Sequence, residues 1–451
     1  MLRRWLGDTA GGLPRVFWYI WANTLINRAG SFVVIVMAIY LTQERGFSET
    51  FAGFVIGLWG VGGAIGAMLG GVLADRWGRR PTLLAAQYGA AAMMLVLAAV
   101  RGGAEIAVGV LLLGLVSEAA RPALSALMID VVPERDRLRA FSLNYWVINL
   151  GFAFAALTAG LVAGVDFSLI FILDAATAIA AATLVAIKVR EPRRVAVASP
   201  ALVDTPAPGL RRVFTDRVFM GFVGLNVLSG MIMMQHMSTL PMSMSRDGLP
   251  PYTFGTVIAL NGVLIVAGQL FVPRLLRGRG TAPALALATA ILGIGFGLTA
   301  FADTAWIYAA TVLVWTVGEM LSSPSNATTN AELSPLPMRG RYQGVFSLSW
   351  SAAAFLAPIA GGAILQYAGE AALWFGCAGL GLFVAALHLR AGPARERRAA
   401  YLREAELGPV EVRGDAIAVA PAIMELGTPK RADHGTRSMI GANREGAVGD
   451  G

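Results

Sequence analysis

Twelve stretches of the chain are nearly free of charge, and each is about 18–25 residues long, enough to cross a hydrocarbon layer of roughly 30 Å as a helix. Short charged segments separate them. With 56% of its residues hydrophobic, 14% charged and a mean hydropathy of +0.64, the chain departs from soluble proteins, which are about 45–50% apolar and about a quarter charged. A soluble enzyme and a disulfide scaffold are both excluded. The single cysteine, Cys377, lies inside an apolar stretch and reads as a small packed hydrophobe, not as half of a disulfide or a CxxC site. The chain is expected to be a polytopic, all-α membrane protein.

The first six stretches cover approximately residues 15–41, 50–74, 82–100, 105–128, 140–163 and 168–188. The second six cover approximately 217–243, 252–273, 282–301, 304–329, 341–367 and 370–390. Between the sets, Ser199-Pro200 and Thr205-Pro206-Ala207-Pro208-Gly209 mark a flexible linker. The expected division is an N-terminal six-helix bundle at 1–189, a linker at 190–216, a C-terminal six-helix bundle at 217–391 and a tail at 392–451. The tail is polar and expected to be largely disordered, with 395–404 reading as a short basic surface helix. The first stretch is too long for a signal peptide, carries Arg28 at its middle and lacks a small-residue cleavage site, so no cleavable export signal is expected.

Lysine and arginine fall almost entirely on alternate loops. One side holds 26 of them, from Arg3 through the linker to Arg403, and the other holds three, Arg45, Arg101 and Arg246. Such an excess marks the cytoplasmic side of a cell (inner or plasma) membrane, with both termini and the linker inside. It explains the net charge of +8 as a topology signal and a contact with anionic lipid headgroups, and argues against nucleic acid as a partner.

The two halves echo each other. Pro133-Glu-Arg135-Asp-Arg137 precedes Trp146, and Pro337-Met-Arg339-Gly-Arg341 precedes Trp350 at the same spacing. Upstream, Glu118 precedes Pro122 in the fourth stretch, and Glu319 precedes Pro324 in the tenth. Six spans per half make both halves enter the membrane from the same side. Parallel repeats of this kind place a substrate site at their interface near the midplane.

After the second stretch comes Gly70-Gly71-Val-Leu-Ala-Asp75-Arg76-Trp-Gly78-Arg79-Arg80. Gly71, like Gly62, Gly66 and Gly70 at four-residue spacing, is expected to let another helix approach closely. Asp75 is placed to bond a neighbouring helix N-terminus, Gly78 to allow a tight turn, and the three arginines to sit at the lipid headgroups. This loop resembles the signature Gly-x-x-x-Asp-Arg-x-Gly-Arg-Arg/Lys of the major facilitator superfamily, matched by Gly71, Asp75, Arg76, Gly78, Arg79 and Arg80. The resemblance implies the major facilitator fold, twelve transmembrane helices in two pseudo-symmetric six-helix bundles, working as a monomer. It also implies a gating charge relay of Asp75 and Arg79 with an acid at the end of span four, for which Asp130 is the candidate. Gly318-Glu319-Met320, Pro324 and Arg339-Gly340-Arg341-Tyr342-Gln343-Gly344 resemble the multidrug-exporter-like (drug:proton antiporter) branch. Two departures stand out: span five carries Ala155-Ala156-Leu-Thr-Ala159-Gly160 where those antiporters have Gly-Pro-x-x-Gly-Gly, and Pro273-Arg274-Leu-Leu-Arg277-Gly278-Arg279 lacks the acid of the signature.

Charges inside the spans need a reason, because each costs on the order of 2.5–3.5 kcal/mol at mid-bilayer on insertion scales. They are Arg28, Glu118, Arg121, Asp174 and Glu319. Glu118 and Arg121 are spaced to pair on one helix face. With three acids to two bases, at least one carboxylate lacks a cationic partner and is free to take up and release a proton. Glu118, Glu319, Asp174 and His236 are therefore the proton-coupling candidates. Structural readings stand beside them: Arg121 snorkelling with Glu118 as its partner, Asp174 capping a neighbouring helix, and His236 packing. The substrate-cavity candidates are Arg28, Asn27, Arg121, Asn144, Gln235 and Asn326, and the methionines from Met231 to Met244 suit a promiscuous wall or plain core filler.

No nucleotide loop, metal-ligand cluster or nucleophile motif is present, so no cofactor, no metal and no enzymatic activity are expected. The expected function is secondary active transport by alternating access, as proton-coupled export of small amphipathic or drug-like molecules. The alternative is proton-coupled uptake of a sugar, amino acid or organic anion.

Overall fold

In the computed structural model, residues 11–191 and 211–407 are described, apart from Leu270, Arg277 and Arg279. Most of the expected linker, and the tail beyond Leu407, lie outside the described residues. Twelve helices among the described residues are long and apolar enough to cross a membrane. They are α1 (Arg15–Glu44), α2 (Glu49–Arg76), α3 (Arg79–Ala99), α4 (Gly103–Val131), α5 (Arg139–Ala163), α6 (Phe167–Lys188), α7 (Arg217–Arg246), α8 (Pro251–Gly268), α9 (Thr281–Phe301), α10 (Ala305–Leu333), α11 (Arg339–Tyr367) and α12 (Glu370–Glu404). Every regular element among the described residues is helical, and a helix satisfies its backbone groups within one segment where no solvent is at hand. The last helix continues to Leu407, past the expected bundle edge at 391 and through Pro393.

Capping side chains set several helix starts. Ser48 Oγ accepts the Phe51 N–H at 3.2 Å, and the Asp216 carboxylate accepts that of Phe219 at 3.1 Å. Two helices are interrupted. The α1 helix breaks after Ala29, where Gly30 lies so close to Thr177 of α6 that any side chain would overlap it. In α7 the regular turns give way at Met234–His236 before resuming at Thr239.

Glycines set the closest approaches. Gly62, Gly66 and Gly70 lie on the α4 backbone at Leu111, Leu115 and Ala119, and a methyl group on any of them would fall on a carbonyl oxygen or a Cα of α4. A second set on α2, Gly53, Gly57 and Gly60, lies against Pro358, Phe355 and Ala354 of α11. Thus α2 joins its own bundle by one row and the opposite bundle by another. The pseudo-symmetric contact pairs α5 with α8: Gly255 meets Ala156 and Gly160, and Gly262 meets Asn149 and Ala153. Gly71 corrects the expectation for it. It faces open space, about 100° around the helix from Gly70.

These inter-bundle contacts concentrate at one end of the helices, the end opposite the basic loops. There one apolar core runs through both halves, from Val36, Ala52 and Val110 to Leu240, Phe254, Trp315 and Leu365, and Cys377 is buried in it. At the basic end the core divides. Phe17, Leu83 and Leu127 form one cluster, and Phe219, Leu333 and Tyr342 form another. Polar bonds tie the closed end: Arg246 of α7 grips Glu49 of α2 with two bonds of 2.6 Å, the Thr50 N–H donates to Gln366 at 3.1 Å, and Gln43 bonds Ser245. Outward faces carry exposed Val108, Phe154, Leu161 and Ile187, with Trp77, Trp306 and Tyr367 exposed near helix ends. That pattern suits lipid tails flanked by headgroups.

Replacing Gly66 by alanine is expected to destabilise the protein by about 1–3 kcal/mol, the usual cost of overpacking, because α2 and α4 must separate. Gly71→Ala should leave thermal stability in detergent unchanged. Equal melting temperatures for the two variants would contradict this packing.

Candidate functional site

A cavity of about 430 Å³ lies in the C-terminal half, with Tyr145 of the N-terminal half reaching its wall. Residues at i, i+3, i+7 and i+11 on α10 share one helix face, and Glu319, Ser322, Asn326 and Asn330 follow that rule into the cavity wall. Tyr145 of α5 and Arg339, Gln343 and Trp350 of α11 complete much of the rest. The polar side chains are held in place: Asn326 donates to Ser322 at 2.9 Å, Asn330 to Gln343 at 2.5 Å, and Asn226 to Ser349 at 2.5 Å. Asn261 of α8 donates to Glu319 Oε2 at 2.7 Å and to Thr316 Oγ1 at 3.1 Å. Glu319 has no cationic partner within 4 Å among the described residues.

A second cavity, about 140 Å³, lies within the N-terminal half and is lined by Asn27, Arg28, Ser31, Glu118 and Asp174. Its acids are engaged. Glu118 pairs with Arg121 at 2.8 Å, and Arg121 is 65% exposed against 12% for the glutamate, the snorkelling geometry. Asp174, only 3% exposed, accepts the Val33 N–H at 3.0 Å. That amide belongs to the restart of α1 after its break, so Asp174 caps a helix from a neighbouring span. Arg28 packs its Cβ on Gly151 of α5, and its side chain makes no hydrogen bond and no ion pair within 4 Å among the described residues. Glu118 and Glu319 therefore line different cavities.

The remaining candidates sit elsewhere. His236 is buried, its Nδ1 is 2.5 Å from the Met233 carbonyl oxygen, and its ring lies beside Trp315. Gln235 is buried in the seam: it donates to the Met231 and Ala357 carbonyls at 3.2 Å and accepts from Thr239 at 2.7 Å, tying the irregular turn of α7 to α11. Neither lines the two cavities, and nor does Asn144, whose Oδ1 is buried without a hydrogen bond among the described residues.

At the basic end, Gly78 takes a φ of 113°, a conformation side chains disfavour, and turns the chain into α3. Arg79 Nε lies 2.9 Å from Asp130 Oδ2, joining the loop to the end of α4. The first amides of α3, those of Arg79 and Arg80, donate to Glu191 at 2.8 and 2.7 Å, and Arg80 Nη2 donates to the Ala186 carbonyl at 2.8 Å. Sequence reasoning missed Glu191. Its one signal was an acid next to the basic loop count, at the edge of what read as linker.

A family model described as Major Facilitator Superfamily matches residues 20–358. The multidrug resistance protein MdtH of Aeromonas salmonicida is 26% identical over 78% of this chain and 88% of its own length. A Na(+), Li(+), K(+)/H(+) antiporter of Planococcus maritimus is 22% identical over 72% of this chain and 83% of its own. Among solved structures, a point mutant of the nucleoside transporter NupG superposes with a TM-score of 0.71 at 15% identity, covering 83% of this chain and 99% of that one. It shows the same fold.

Asp174→Ala strands the buried Val33 amide and is expected to lower stability by about 1–3 kcal/mol. Asp174→Asn keeps an acceptor oxygen and should retain most of that stability. Melting curves of the two variants in detergent check this, and a larger loss for asparagine than for alanine would refute the capping role.

Proposed function

The chain belongs to the Major Facilitator Superfamily, and from that premise we propose that it exports small amphipathic, drug-like molecules in exchange for protons. It is a multi-pass membrane transporter, not an enzyme. The observation that carries the finer reading is Glu319: a carboxylate in the wall of the 430 Å³ cavity, which Tyr145 of the other half also lines, without a cation within 4 Å among the described residues and held by an amide donor from Asn261. A carboxylate so placed is neutral when it holds a proton and charged when it gives one up, and charge at that depth is costly. Proton loading and substrate loading at the cavity are thereby coupled. Tyr145, Phe346 and Trp350 supply apolar and aromatic surface to the same wall. The similarity to a multidrug resistance protein of Aeromonas and a cation/H(+) antiporter of Planococcus favours drug export and proton exchange.

The 1–189 and 217–391 bundles are the two rocking bodies in this proposal, joined by the 190–216 linker, and the chain works as a monomer. The basic end faces the cytoplasm, as the arginine distribution supports. The arrangement described above is then the inward-facing one, with the Arg246–Glu49 end closed. The Arg79–Asp130 pair joins the gating loop to α4 within the N-terminal bundle. Glu118 and His236, both engaged locally, are assigned no proton-carrying role in this scheme.

Purified protein in liposomes with an acid interior and a lumenal pH dye tests the reading. Adding drug-like amphipaths should dissipate the gradient, and Glu319→Gln should reduce that flux to the level of protein-free liposomes while the variant remains monodisperse. Undiminished flux in Glu319→Gln would remove the assignment.

A further inference from the structure

The cavity in the N-terminal half is lined by polar groups that lack direct partners among the described residues, Gln87 Oε1 among them. Of the charged groups that line it, Glu118 pairs directly with Arg121 and Asp174 accepts a backbone amide, while the Arg28 side chain feels Glu118 only at longer range and makes no ion pair within 4 Å and no hydrogen bond among the described residues. The indole N–H of Trp59, on the same wall, likewise has no acceptor among them. An unpaired guanidinium between membrane helices is costly, and the ligand that removes that cost carries an anion. Guanidinium favours planar carboxylates, which it binds through two parallel hydrogen bonds.

The same cavity is continuous in its walls with an apolar cleft. Val34, Trp59, Leu113 and Met237 line both, and Met37 and Met234 extend the cleft toward the bundle seam. The cleft therefore offers aromatic and thioether surface beside that guanidinium, and both face the inter-bundle region. We propose that this is a substrate subsite for amphipathic organic monoanions, the carboxylate held by Arg28 and the apolar body by Trp59, Met37, Met234 and Met237. One unpaired cation fits one negative charge. A dianion would leave a second carboxylate desolvated beside Glu118. The assignment rests on the transporter reading but not on proton coupling: it names the class of amphipath and leaves Glu319 free for the proton.

Equilibrium binding to the purified full chain in detergent tests this with three probes that share a ring system: naphthoate, naphthamide and naphthylmethylammonium. Wild-type protein should bind naphthoate about tenfold or more tightly than naphthamide, the range of a charge-assisted hydrogen bond. Arg28→Gln should level the two, and Arg28→Lys should restore part of the preference. Equal binding of acid and amide by the wild type overturns the proposal with no variant needed, and so does a preference that persists in Arg28→Gln. Preference for the ammonium probe, lost in Glu319→Gln, also overturns it and leaves proton-coupled export of cations standing. Acid selectivity through Arg28 together with unaltered proton flux in Glu319→Gln would instead retain this subsite and remove the proton-exchange reading.

Discussion

The structure depends on α2 lying backbone against backbone with two different partners. Gly62, Gly66 and Gly70 seat it on α4, and Gly53, Gly57 and Gly60 seat it on α11 of the other half. In lipid there is little hydrophobic gain from bringing apolar helices together, so close packing and backbone dispersion contacts must hold them. Glycine provides both by removing the side chain. Since α5 and α8 repeat the arrangement across the pseudo-symmetry axis, these two seams set how the halves meet around the cavities. Tyr145 and Gly151 are set by α5, and Glu319 is held by α8 through Asn261.

Much of this was legible in the sequence, for physical reasons. Apolar runs of bilayer length give the spans directly, and the glycines at 62, 66 and 70 announce a helix contact by their spacing. The Arg79–Asp130 pair was legible only through the motif, because its members are 51 positions apart and nothing local connects them. Other features escaped. Gly71 reads like its neighbours, yet a step of one residue turns it out of the seam. Gln235 looks like a cavity donor from the sequence, and only the irregular turn in α7 explains why it is consumed by Ala357 and Thr239. Glu191 sat beside a Pro-rich linker, where no pattern foretells that a carboxylate will cap the start of α3.

The buried charges divide by how they are satisfied. Glu118 is neutralised within its own helix, and Asp174 is fixed by the backbone of another span. Arg28 and Glu319 are the two left over, one cation in the first half and one anion in the second. A chain that only needed to fold would have little use for this arrangement, since pairing the two or replacing them by apolar residues would be the less costly state. Their separation into different cavities is what makes them informative about ligands.

The α2–α11 seam has one more consequence. At Gly53, Gly57 and Gly60 its contacts are backbone atoms of Pro358, Phe355 and Ala354 and apolar carbons of Ile359 and Ala354. A file of water molecules needs space along its route, and the two backbones leave none at these positions. This stretch of the closed end thus stops water as well as solute. Whatever solute occupies the cavity, a file of water carrying protons finds no room between α2 and α11 at these three glycines.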